Sequence, residues 1–335
     1  MYPYFWRTFV CSALGLLWSG VSDAQTVFGV AGVPKAVGML RDYPRMFGLL
    51  KSNRIEAFLP VFQYVEQPTS KTLGFESDFF PPCSPTSPGF AAVRQYGIKL
   101  VVAADVIYPR GQAMPPLDID PLKTIIGCAG RENIYGVLSY DEPVHQGVSE
   151  SDVQRVYQRV KAVDGTVPVL MVQAPMIADQ PKFATAAGRN TYLQAVKIYS
   201  QYADIVGFDV YPVPREIAKV TSPDDKGAVV DHPATIAGYM AWLKRTLPGK
   251  RLMIVLQGFS YADEFDHGFL TRTFDAATIR AMAGPTAAQM TDMTRIAITG
   301  GADTVFWWGP SFVGTVSDPS WSAMTTAITT LKTKP

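Results

Sequence analysis

The chain reads as one α/β domain, a single (β/α)8 or TIM barrel, and three observations predict it. Eight short segments are apolar at almost every position, as strands buried on both faces of a parallel sheet are. Segments with apolar residues at helical spacing run between them. No GxGxxG turn follows the first strand and there is no Walker loop, which argues against the doubly wound open sheet, the main alternative.

The predicted strands begin with VFGVAG (27–32), IEAFLPVF (55–62), IKLVVAADV (98–106) and IYGVLSY (134–140). VPVLMVQA (167–174), DIVGFDVY (204–211), LMIVLQGF (252–259) and DTVFWWG (303–309) complete the eight. Helices are expected over 41–51, 149–163, 190–202, 233–247, 285–299 and 321–331. The segment 149–163 opens with SESD, a capping serine with acids in the first turn, and carries Val153, Val156, Tyr157 and Val160 on one face. Pro233 and Pro285 suit a first helical turn. The prolines of DFFPPCSPTSPG make 66–90 a long loop, and 221–231 reads as a second irregular insertion.

The first residues, MYPYFWRTFVCSALGLLWSGVSDAQ, stand apart. Arg7 precedes a short apolar stretch, and Ser22-Asp23-Ala24 offers the small residues that a signal peptidase reads. Residues 1–24 are therefore expected to be a cleaved secretory signal, leaving a barrel over 25–335 that is secreted or periplasmic. The apolar run is short for a bilayer span, and an uncleaved anchor is the alternative. About 310 residues then remain, a suitable length for one barrel with insertions. In an oxidising compartment Cys83 and Cys128 are candidates for a disulfide, two separate thiols being the other reading.

The 30 basic and 29 acidic residues form no long run of one sign, so neither nucleic acid nor a membrane surface is an expected partner. His145, His232 and His267 lack zinc-ligand spacing, and no metal or other cofactor is expected.

A barrel gathers its active site at the C-terminal ends of its strands. Those ends carry Asp105 on strand three, Asp141 and Glu142 on strand four, Gln173 on strand five and Asp209 and Tyr211 on strand six. Gln257 ends strand seven, Trp307 and Trp308 end strand eight, and Tyr64 and Glu66 follow strand two. Carboxylates, amides and aromatic rings with almost no histidine or cysteine suit sugar chemistry. One carboxylic acid protonates the leaving oxygen, and a second carboxylate stabilises, attacks or activates water. Aromatic faces stack on pyranose rings, and amides bind the hydroxyls. A serine or cysteine nucleophile would want a histidine partner, and only His145 lies near this rim, with no GxSxG elbow. Side chains alternate along a strand, so one of the two tryptophans faces ligand and the other is core; Trp308 is the expected ligand-facing one.

The segments GVLSYDEPV, YADIVGFDVYPVP, IVLQGF and GADTVFWWGP resemble strand-end motifs of the glycoside hydrolase barrel superfamily. The resemblance implies an acid/base role for Glu142 and a sugar-flooring role for Trp307 or Trp308. Its chitinase-like branch also pairs a strand-four glutamate with polar residues on strand six, where Asp209 and Tyr211 stand. This chain departs from the retaining group by having Gln257 in place of the nucleophilic glutamate and Asp141 in place of asparagine. It also lacks the complete DxxDxDxE pattern, so the implied membership is of a divergent family.

The expectation is a hydrolase of a polysaccharide or glycoconjugate, with Glu142 as acid and Asp209 as second carboxylate. Asp105, Asp141, Asp263 and Glu264 compete for the second role. Asp141 either caps the turn or joins the chemistry, while Asp105, Gln173, Tyr211, Gln257 and Trp308 are expected to bind substrate. The rivals are a carbohydrate-binding barrel without catalysis and a divalent-metal enzyme using Asp105, Asp141, Glu142 and Asp209.

Overall fold

The structure is a computed structural model that describes residues 26–61, 78–264, 271–272 and 274–332. The expected signal segment, Tyr64, Glu66, His267 and the side chain of Glu264 lie outside the described residues.

Eight parallel strands close into a barrel: β1 (Val27–Ala31), β2 (Ala57–Leu59), β3 (Lys99–Ala103), β4 (Ile134–Leu138), β5 (Val169–Gln173), β6 (Ile205–Val210), β7 (Arg251–Gln257) and β8 (Ala302–Trp308). Each pairs with its chain neighbours, and β8 closes on β1 through Val27 to Thr304 and Val30 to Trp307. All eight fall on the predicted apolar segments. A helix of nine or more residues follows each strand, some with shorter helices before it: α1 (Tyr43–Ser52), α2 (Pro88–Tyr96), α3 (Pro121–Ala129), α4 (Glu150–Val163), α5 (Ala186–Tyr199), α6 (His232–Thr246), α7 (Ala287–Thr299) and α8 (Pro319–Lys332).

The helix starts have identifiable local causes. Ser149 accepts from the Asp152 amide at the head of α4, Asp231 caps α6, and Thr286 with Gln289 forms a capping box on α7. One expectation needs correction: 66–90 is not loop to its end, because Pro88 opens α2 with Ser87 at the cap position. The second insertion is largely irregular, but Val220–Thr221 pairs antiparallel with Met176–Ile177 beside the barrel.

Alternation along the strands creates two cores. Phe28, Val206, Phe208, Ile254, Val305 and Trp307 face outward and pack with residues of the helices. Ala31, Leu59, Val101, Tyr135, Leu170, Val172, Met253, Val255 and Phe306 fill the barrel itself. Gly29 is required there, since a Cβ at that position would stand 2.3 Å from the Phe306 ring. Beneath Phe306, the Tyr135 ring packs 6.5 Å away and its hydroxyl meets Thr304 Oγ1, closing the barrel below.

Candidate active site

The end of β4 is anchored before its acids appear. Tyr140 is fully buried and its hydroxyl donates to the Tyr108 carbonyl at 2.8 Å. The Tyr108 hydroxyl in turn donates to buried Asp120, which also caps α3 at the Leu122 amide. Asp141 and Glu142 therefore leave a fixed point. The Asp141 amide donates to Asp105 Oδ2 at 3.2 Å, and the Val144 amide donates to Gln173 Oε1 at 3.2 Å. Glu142 has φ +39°, in the left-handed region that favours glycine. A non-glycine residue held there costs about 1–3 kcal/mol, and such strain concentrates at functional sites.

Above the inner core lies a cavity of about 220 Å3 lined by Asp141, Glu142, Asp209, Tyr211 and Trp308. Asp209 lies next to the end of β6, almost wholly buried, and lines this cavity together with Glu142 and Tyr211. One Asp209 oxygen, Oδ1, is buried without a hydrogen-bond partner. Burial, then the nearby charge of Glu142, then Asp141, push the Asp209 carboxyl well above the usual carboxylate range. Burial and Asp209 likewise hold the Tyr211 phenol neutral, well above its ordinary value, so it acts as a donor. Asp141 keeps a solvent-facing edge, yet the surrounding mouth removes enough water to matter. That desolvation, with Glu142 and Asp105 nearby and Arg110 opposing, pushes the Asp141 carboxyl up to about 6.

Trp308 faces the cavity, whereas Trp307 is fully buried against Phe28 with ring centroids 5.6 Å apart. Tyr211 packs edge-on to Phe259 at 5.3 Å, and Trp308 to Phe312 at 6.2 Å. Gly309, at φ +98°, lets this wall close, because a Cβ there would meet Phe259 at 2.4 Å.

The other expected ligand groups are engaged elsewhere. Gln257 is fully buried, and its amide is taken up by backbone. Oε1 accepts from the Val213 amide at 3.0 Å, while Nε2 donates to the carbonyls of Val213 and Phe259 at 2.6 and 3.1 Å. Gln173 is also fully buried, braces the turn after β4 and does not line the cavity. Asp105 stands behind Asp141 and 3.7 Å from Arg110 Nε. Asp263 accepts from the Ser260 amide at 2.9 Å and is outside the lining.

Sequence reasoning missed a basic pair at the rim: Lys182 Nζ lies 2.9 Å from His145 Nδ1, near Glu142. Burial lowers both groups and the Glu142 charge opposes it, with Lys182 lowering His145 further. It also missed the apolar depth of the cavity, although strict alternation on β5 and β7 marks Leu170, Val172, Met253 and Val255 as inward-facing. Among the described residues, no group of three or more His, Cys, Asp or Glu side chains is arranged to hold a metal ion. Cys83 and Cys128 form a disulfide with Cα atoms 6.3 Å apart.

No family model matches the chain, and no curated protein matches it. Solved structures do share its architecture. An endo-β-1,4-mannanase from Thermotoga petrophila aligns with a TM-score of 0.52 at 11% identity, covering 92% of this chain and 77% of the mannanase. A β-galactosidase from Rahnella sp. R3 aligns at 0.49 and 10%, covering 93% and 57%. Tryptophan synthase from M. tuberculosis aligns at 0.47 and 10%, covering 92% of each. The mannanase likeness, at this identity, is one of barrel fold.

Proposed function

We propose that the chain is an exported glycoside hydrolase cleaving O-glycosidic bonds of a polysaccharide or glycoconjugate, with Glu142 as the proton donor. The observation that carries this reading is the gathering of Asp141, Glu142 and Asp209 beside Trp308 in one cavity at the C-terminal face. Burial and the nearby charges of Glu142 and Asp141 push the Asp209 carboxyl well above the usual range, so a proton is kept in the cavity where a leaving oxygen needs one.

Burial also reassigns Asp209. Almost wholly buried and pushed well above the usual carboxylate range, Asp209 acts as a neutral neighbour of Glu142 rather than as an attacking carboxylate. Asp141, the third carboxylate of the lining, is left to activate water or to stabilise the oxocarbenium-like centre once ionised. The proton passes from Glu142 to the glycosidic oxygen, the C–O bond breaks, and water adds, returning a proton to the carboxylates.

A second reading, a carbohydrate-binding barrel without turnover, is favoured by Gln257, whose amide occupies the end of β7 and is committed to backbone. Release of reducing ends from a panel of polysaccharides and glycosides separates the two. Replacing Glu142→Gln should lower turnover by about 10²–10⁴-fold, the usual worth of a general acid, while binding is kept. Full activity in that variant sinks the assignment; binding without any released sugar in the unaltered protein supports the second reading.

A further inference from the structure

The cavity is chemically two-sided. Its four polar side chains, Asp141, Glu142, Asp209 and Tyr211, all come from the ends of β4 and β6. The walls supplied by β1, β2, β3, β5 and β7 are hydrocarbon, including Ala31, Leu59, Val101, Val172 and Val255. Leu170, Met253 and Phe306 continue that lining one layer further into the barrel. The inner-barrel packing of Tyr135 against Phe306 ends it below. A well of this kind suits one sort of occupant. Each sugar hydroxyl buried without a partner costs about 1–3 kcal/mol, so a second pyranose descending here would be heavily penalised. An alkyl or aryl group loses nothing in the same place and gains about 0.8 kcal/mol for every methylene it buries.

We propose that this well receives the apolar aglycone of a glycoside, making the substrate class small alkyl or aryl glycosides rather than an extended polysaccharide. The inference rests on the hydrolase reading and narrows it. The sugar stacks on Trp308 within reach of Glu142, and the aglycone enters the hydrocarbon side of the barrel mouth.

The test measures affinity along chain length, from methyl to octyl, for alkyl glucosides, galactosides and mannosides titrated calorimetrically into the Glu142→Gln protein. Bare n-alkanols titrated into the unaltered protein form a parallel series. With at least one of the three sugars, affinity should rise about fourfold per added methylene until the well is filled, then level off. Ala31→Leu, which fills the well, should bring the plateau to shorter chains, and Val255→Thr should reduce the slope. A flat glycoside series in the otherwise unaltered background overturns the proposal without needing either variant. So does a rise confined to alkanols with no glycoside bound. Failure of the hydrolase reading shows separately, as no sugar released from any glycoside by the unaltered protein, whatever the binding slope.

Discussion

A carboxyl holds its proton towards neutrality when it loses water and stands near other negative charge. Asp209 is almost wholly buried beside Glu142. Asp141, exposed at the mouth but partly desolvated there, stands beside Glu142 and Asp105. For Asp141 the consequence for stability has a definite sign. Its folded value of about 6 exceeds the unfolded value of about 3.9, so between these the folded protein binds more protons than the unfolded chain. Stability therefore falls as pH rises from about 4 to about 6, and the loss persists above that window. Asp141→Asn removes this contribution. Its melting temperature should exceed that of the unaltered protein at pH 7 and converge with it below pH 4, as followed by calorimetry at a series of pH values. If hydrolysis depends on ionised Asp141, the acid limb of turnover falls near pH 6 in the unaltered enzyme. The same variant then loses turnover while gaining stability. A variant no more stable than the unaltered protein at pH 7 would mean that Asp141 is better solvated than its raised value implies.

At the scale of elements, the strands were legible because burial on both faces leaves short runs that are apolar at almost every position. The α2 and α3 helices were harder to read. Each is nine residues long, and the first begins inside a proline-rich stretch. A usable signal was present in Ser87-Pro88 and Asp120-Pro121, a capping-type residue followed by proline at the first helical position. Asp141, Glu142, Asp209, Tyr211 and Trp308 could be found from sequence because they end strands on the face where a barrel opens, and they line one cavity. Gln257 could not be resolved in this way, since an amide at a strand end looks the same whether it meets ligand or backbone. Its geometry yields a clear expectation. Gln257→Glu would restore an acid at the end of β7, but that acid would face the carbonyls of Val213 and Phe259, which only a donor can satisfy. We predict a less stable protein with no gain in hydrolysis, the loss being on the order of 1–3 kcal/mol for each carbonyl left unpaired. Denaturant unfolding alongside a glycoside assay checks both halves; a more active variant would mean that the loop after β6 can release the side chain into the cavity.

For the molecule as a whole, the proline-rich stretch after β2 is irregular, and several contacts tie it to the barrel. Phe79 packs edge-on against Phe47, Phe58 and Phe90 at 5.9–6.0 Å. The Arg94 guanidinium donates to the carbonyls of Pro85 and Cys128. The Cys83–Cys128 disulfide then links this stretch to α3 across 45 residues of chain. From sequence the two cysteines were candidates only, because nothing local fixes the distance between a loop and a helix on the next repeat. Closing a loop of this length removes unfolded-state entropy worth about 4 kcal/mol in the chain-entropy model, and measured bridges typically deliver about 2–4 kcal/mol. The Cys83→Ala/Cys128→Ala double variant should therefore lose about 2–4 kcal/mol of unfolding free energy. The unaltered protein unfolded in the presence of reductant should approach the same value. The cavity is built from residues on other strand ends and does not include either cysteine, so turnover below the melting range should be unchanged. Equal stability of the double variant and the oxidised protein would show that Phe79 and Arg94 suffice to hold the loop, whereas a loss of turnover without a loss of stability would tie the α3 side of the barrel to the active mouth.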